Sequence, residues 1–170
     1  MKTTSILTLL ALILFALTPI KAQNKVSAFI SLQSELSFKV EKSSFSICIS
    51  KKGDISGYSI LANGTISYDI HGRIEKVGDV KISYDIHDRI DKIDNEQISY
   101  DIHNRLSQIG DTKISYDIHN RLESVGQQKV SYDIHGRVEK ISLAKISYNY
   151  LGKIEKVEAN QELIYLNIND

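Results

Sequence analysis

Serine, aspartate and histidine recur together in this chain, first at Ser67, Asp69 and His71 in "SYDIHGR". The group returns in "SYDIHDR" from Ser83, in "SYDIHNR" from Ser99 and Ser115, and in "SYDIHGR" from Ser131. Three kinds of chemistry use such residues: metal ligation, acid–base or triad catalysis, and repeated contact with an extended partner. Metal ligation fails on spacing. The copies lie sixteen residues apart, and if each is a pair of strands, equivalent histidines stand about 10 Å from one another. One zinc ion draws its nitrogens to about 2.0–2.1 Å, so neighbouring copies cannot share it, and a single copy offers at most two ligands. Catalysis fails on repetition, because an active site is one pocket of unlike residues and neighbouring strand residues face opposite ways. Glu75, Asp91 and Glu123 do not form a carboxylate set either, since Ser107 interrupts them. The residues exclude a catalytic site, a metal and a cofactor from this reading, which is that of a protein without enzymatic activity. His71, His87, His103, His119 and His135, with Arg73, Arg89, Arg105, Arg121 and Arg137, are left as a candidate binding edge. The competing account is that histidine merely occupies a tolerant place in a turn.

The elements that position these residues follow from the repeat. Units begin at Ile66, Ile82, Ile98, Ile114, Val130 and Ile146, and the last, "ISYNYLGKIEKVEANQ", departs from the pattern. The residue after the histidine is Gly72, Asp88, Asn104, Asn120 or Gly136, and Gly152 holds that place in the last unit. These types share a tolerance for positive φ. Asp69, three places earlier, is a favoured first residue of a type I turn, so each unit is expected to be a β-hairpin whose turn closes on a left-handed residue. Aspartate and arginine then flank each turn as a facing pair, from Asp69 with Arg73 to Asp133 with Arg137. "ISY" alternates with period two, whereas Ile74 and Val77 are three apart, which predicts a bulge near Glu75-Lys76. The tyrosines share a face with Ile66 and Ile74 and are expected in the core. The second connection, such as "GDVK" or "DNEQ", is polar and variable.

The expected fold is therefore all-β, an antiparallel hairpin array forming a meander, a curled sheet or a solenoid-like stack. Regular units span 66–161 within a repeat domain of 47–170. "ICISKKGDISGY" from Ile47 fits the same frame loosely, and residues 163–168 read as one closing strand. Residues 23–46 read as a cap or covering segment.

Tyr-Asp-x-x-Gly-Arg followed by an aliphatic residue resembles the YD repeat of RHS-type secreted and surface proteins. The likeness covers Tyr68–Arg73, Tyr84–Arg89, Tyr100–Arg105, Tyr116–Arg121 and Tyr132–Arg137, in a unit shorter than the usual YD repeat. It implies hairpins in a curled sheet and a connection with carbohydrate binding or with shells around a toxic domain. At 170 residues, the hairpin is expected to carry over from that family and the enclosing shell or toxic domain is not.

Composition bounds the rest. Met1-Lys2, an apolar run from Ile6 to Leu17 interrupted only by Thr8, and Thr18-Pro19-Ile20-Lys21-Ala22 read as a secretory signal peptide of residues 1–22. The run is too short for a permanent membrane anchor. Export to the periplasm, the cell surface or the medium is the expected destination. The formal net charge of 0 becomes −2 without Lys2 and Lys21, which leaves no electrostatic footprint for nucleic acid. Cys48 is the single cysteine, so no internal disulfide forms. These features point to an exported repeat protein whose edge binds an extended partner, envelope polysaccharide being the favoured class. Two alternatives stand beside it: a structural protein that self-associates through its sheet edges, and a small relative of toxin-type YD-repeat proteins.

Overall fold

A computed structural model describes residues 24–31, 35–159 and 164–167. The expected signal peptide lies outside the described residues. Four strands come first: β1 (Lys25–Ser31), β2 (Leu36–Glu41), β3 (Phe45–Ser50) and β4 (Ile55–Ile60). The repeat then supplies β5 (Ile66–Tyr68), β6 (Ile74–Val77), β7 (Val80–Tyr84), β8 (Ile90–Ile93), β9 (Glu96–Tyr100) and β10 (Leu106–Ile109). It continues through β11 (Thr112–Tyr116), β12 (Leu122–Val125), β13 (Gln128–Tyr132), β14 (Val138–Ile141), β15 (Ala144–Tyr148) and β16 (Ile154–Glu158), and β17 (Ile164–Asn167) follows. No helix occurs among the described residues. The fold is all-β, as the repeat predicts.

Each unit is a hairpin built by its own turn chemistry. The Gly72 N–H donates to the Asp69 carbonyl at 3.0 Å, closing a turn in which Gly72 adopts φ 78°. Asp88, Asn104 and Asn120 hold the same place at φ 61–62°, a conformation in which short polar side chains are tolerated. Ile66 faces Val77, Ser67 faces Lys76 and Tyr68 faces Ile74, so Glu75 is the unmatched residue of a bulge. The same omission falls on Ser107 and Glu155. This extra residue turns a spacing of three into a shared face, and Ile93, Ile109, Val125 and Ile141 are fully buried there. The second connection is shorter than its polarity suggests. Val77 pairs directly with Val80, so Gly78 and Asp79 are the whole turn and the following residues already belong to β7.

The units make an open twelve-stranded meander running in order from β5 to β16. A second sheet, ordered β17-β1-β2-β3-β4, covers its apolar face. Ile30, Phe38, Phe45, Ile47 and Ile49 from this cover join Ile82, Ile98, Leu106, Leu122 and Ile146 of the array in one core. The cover reaches across the array from one row of turns to the other. At one side Lys42 and Asn24 bond Asp111, and Ser44 bonds Asp94. At the other, the Tyr116 hydroxyl approaches the Gly53 carbonyl at 3.5 Å.

Two expectations about organisation need correction. The hairpin from Ile47 does have the repeat's build: Gly53 N–H donates to the Ser50 carbonyl at 2.9 Å, and the register slips past Ser56. It belongs to the cover, however, because β3 pairs with β2, and the longer link 61–65 lets the chain cross to the other layer. Residues 164–167 do not close the array; β17 pairs in parallel with β1, Ala28 facing Ile164. Parallel pairing needs a long crossover, and here the whole array supplies it. Cys48 lies half-buried in β3.

Candidate functional site: the row of hairpin tips

Every repeated turn brings aspartate, isoleucine, histidine and arginine to one edge of the meander. Aspartate is the keystone of each tip. Asp69 Oδ1 accepts the backbone N–H of His71 at 2.8 Å and of Arg73 at 2.9 Å, while Oδ2 accepts Arg73 Nε at 2.7 Å. Arg73 Nη2 also lies 2.6 Å from Oδ2. The geometry repeats at Asp85, Asp101, Asp117 and Asp133. Partial burial raises each carboxyl's pKa, but the arginine and the two amides outweigh it, and all five end below the usual carboxylate range, Asp85 at about 2.

The arginines then link each unit to the next. The guanidinium of Arg73 lies 4.3 Å from the ring centre of Tyr84, and Arg89, Arg105, Arg121 and Arg137 cover Tyr100, Tyr116, Tyr132 and Tyr148 at 3.9–4.5 Å. Nη1 reaches the following tip: Arg89 to Asn104 Oδ1 at 3.2 Å and Arg105 to Asn120 Oδ1 at 2.8 Å. Each tyrosine returns a bond to the preceding unit, Tyr84 Oη donating to the Ile74 carbonyl at 2.9 Å and Tyr116 Oη to that of Leu106 at 2.8 Å. Burial of these phenols pushes Tyr84, Tyr116 and Tyr132 up to about 12. The tyrosines are thus half-buried couplers, packed against the core at one side and capped by arginine at the other.

The candidate residues therefore separate. Arg73, Arg89, Arg105, Arg121 and Arg137 have side chains only 24–33% exposed and are engaged within the array. The imidazoles of His71, His87, His103, His119 and His135 are exposed, and only the backbone N–H of each is committed to the aspartate. Beside them stands a feature that hydrophobicity conceals. Ile70, Ile86, Ile102, Ile118 and Ile134 are 93–96% exposed, and Tyr150 takes their place at 95% in the last unit. The signal lay in the turn itself, since the second residue of a type I turn projects from the strand pair and has no sheet face to enter.

Near the third tip, a cleft of about 420 Å³ opens between the two sheets, lined by Gly57, Tyr58, Arg89, Tyr100, Asn104 and Leu106 among others. Among the described residues, no three His, Cys, Asp or Glu side chains sit close enough to hold a metal ion. No helix there is long and apolar enough to cross a membrane. No protein-family model matches the chain, and no curated protein matches it.

Proposed function

We propose that this is an exported, non-enzymatic binding protein that holds an extended, repetitive partner along its hairpin tips. Polysaccharide of the cell envelope is the partner class. One observation carries the reading. The repeated turn places isoleucine and histidine at five exposed tips, yet the same turn in the cover is built with Lys51 and Lys52 between Ser50 and Gly53. The turn geometry therefore does not demand Ile and His. Leaving an isoleucine in water forgoes about 1.5–3 kcal/mol of burial each time, so a partner that covers these side chains gains what folding leaves unused. Sugar rings suit such a surface, since their C–H faces pack on isoleucine while their hydroxyls meet imidazole nitrogens. The cleft beside Asn104, with Tyr58 and Tyr100 in its lining, adds aromatic surface next to the row. Anionic polymers suit it less, because each arginine charge is already answered by an aspartate. The likeness to YD repeats agrees with this class and belongs to the same proposal.

Co-sedimentation with insoluble polysaccharides and envelope fractions tests it. The wild type is run beside a variant with the five tip isoleucines changed to serine and another with the five histidines changed to asparagine. Both substitutions suit a turn, and circular dichroism confirms that each variant folds. Pelleting that either variant loses supports the tip row. No pelleting by the wild type, or full pelleting by both variants, overturns it.

A further inference from the structure

The two ends of the array carry complementary halves of the contact that joins its units. Inside the array, each junction has three parts: an arginine over the next tyrosine, a tyrosine hydroxyl on the preceding carbonyl, and antiparallel pairing such as Val77 with Val80. At β5 the receiving half is open. Tyr68 is 60% exposed and Ile66 is 51% exposed, whereas Ile82, Ile98, Ile114, Val130 and Ile146, at the place of Ile66, are 1–7% exposed. Among the described residues no guanidinium covers Tyr68. At β16 the donating half is open. Ile154 and Val157 are only half-buried, while Leu106, Leu122, Ile109 and Val125 at their places in interior units are 0–1% exposed. β5 carries no charged residue or proline to guard its edge, and such edges are templates for another strand.

We infer that β5 of one copy pairs with β16 of a second copy, continuing the meander across the molecular boundary. Continuing the interior register by sixteen residues fixes the partners. Lys156 lies opposite Thr65 and Val157 opposite Gly64, as Lys140 lies opposite Lys145 and Ile141 opposite Ala144 within the array. Tyr68 Oη then donates to the Ile154 carbonyl, and the Lys153 ammonium takes the place over the Tyr68 ring that arginine holds elsewhere. The joint is weaker than an interior one. Lysine has no planar fork to stack and bond at once, Asn149 stands where aspartate would be, and β5 is three residues long. Assembly is accordingly reversible and concentration-dependent. Its two surfaces differ, so the contact is head-to-tail and does not close on itself by two-fold symmetry. This goes beyond the binding reading, and it is measured with no polysaccharide present, so the two can fail separately.

Sedimentation velocity over a concentration series is the experiment, on the protein purified from cells expressing the full chain. The wild type is expected to move from monomer to a ladder of larger species. Ile66→Lys blocks the β5 end and Val157→Lys blocks the β16 end. Each alone stays monomeric, and an equimolar mixture gives a dimer and nothing larger, because each variant retains the half that the other lacks. A wild type that stays monomeric throughout overturns the inference, as does a mixture that stays monomeric. Self-dimerisation of either single variant also overturns it, since that requires like edges to pair. If a lysine variant fails to fold, Thr65→Cys with Lys156→Cys in a Cys48→Ser background replaces it. Oxidation then yields an intermolecular ladder on a non-reducing gel if the register is right, and monomer alone if it is wrong.

Discussion

Replacing Arg105 by methionine tests how the units are coupled, because Arg105 sits mid-array and touches two of them. Methionine keeps the aliphatic stem and removes the guanidinium. Three contacts go. The pair with Asp101, whose partners are 24% and 22% exposed, is worth about 0.5–1 kcal/mol in that half-wet setting. The stacking at 4.1 Å over Tyr116 adds about 0.5–1 kcal/mol. The bond from Nη1 to Asn120 at 2.8 Å adds about 0.5–1 kcal/mol. Asp101 keeps its two amide donors, from His103 and Arg105, so no orphaned carboxylate enlarges the loss. Unfolding free energy is expected to fall by about 1.5–3 kcal/mol, read from urea denaturation followed by circular dichroism and by tyrosine fluorescence. Coincident transitions show that the cover makes the array unfold as one unit. A double-mutant cycle then localises the effect. Arg105→Met with Tyr116→Leu should show a coupling of about 0.5–1 kcal/mol, whereas Arg89→Met with Tyr116→Leu, lacking contact, should be additive within about 0.3–0.5 kcal/mol. A loss below about 0.5 kcal/mol, or equal couplings in the two cycles, refutes the ladder as the link between units.

Acid and alkali should act on the two halves of the same ladder. The aspartates have folded pKa values below their unfolded ones, so their stabilisation is present above about pH 4 and is lost as pH falls toward the value of about 2 held by Asp85. Changing Asp85, Asp101 and Asp117 to asparagine should flatten the acid limb, since Asn149 already accepts the Leu151 and Lys153 amides in this role; an equally steep limb refutes the assignment. The tyrosines run the other way, their stabilisation being present below about pH 10 and lost as pH rises toward the value of about 12 held by Tyr84, Tyr116 and Tyr132. The tyrosinate absorbance of these three should therefore appear together with unfolding. Lys42, whose side chain is 1% exposed, pairs with Asp111, whose side chain is 71% exposed. Asp111→Asn strands a buried ammonium and should cost about 1–3 kcal/mol, more than Lys42→Met, which removes the buried charge altogether; chemical denaturation giving the reverse order refutes this.

What could be read in the sequence is what chemistry fixes within four residues. The turn from Asp69 to Gly72, the pair of Asp69 with Arg73 and the bulge at Glu75 all follow from local hydrogen bonding and from the spacing of Ile74 and Val77. Contacts between units were not legible, because they depend on how one hairpin is staggered against the next. That is why Arg105 reads as an exposed partner of Asp101 and not also as the cap on Tyr116 and the donor to Asn120. The place held by Asn120 reads as a turn former alone for the same reason. Layer membership was hidden too. Ile47–Tyr58 carries the repeat's hairpin signature, and only the pairing of β3 with β2 assigns it to the cover. The turn assignment puts Ile70 and its equivalents at the tips, but the spacing alone carries no sign that the apolar side chains there stand uncovered.

Variation inside the chain bears on what those isoleucines do. Along the same array the exposed Glu75 becomes Ser107 in the third unit, Asp79 becomes Leu143, and the residue after histidine changes among glycine, aspartate and asparagine. Ile and His persist through five tips while these neighbours drift. In the last unit, where Asp and Arg have become Asn149 and Lys153, the tip is still apolar at Tyr150 and Leu151, 95% and 64% exposed. Apolar tips therefore do not depend on the ladder beneath them. Sheets twist by about 20–25° per strand, so tips about 10 Å apart face progressively different ways, which favours a pliable chain over a flat crystalline surface. If a partner covers about half of each isoleucine, each tip contributes on the order of 1 kcal/mol, a factor of about 5 in affinity. Substituting one, two, three and then all five tip isoleucines by serine should weaken binding in proportionate logarithmic steps. A single step that abolishes binding, with the other substitutions silent, would place recognition in one pocket and the cleft at Tyr58 and Tyr100 would take precedence over the row.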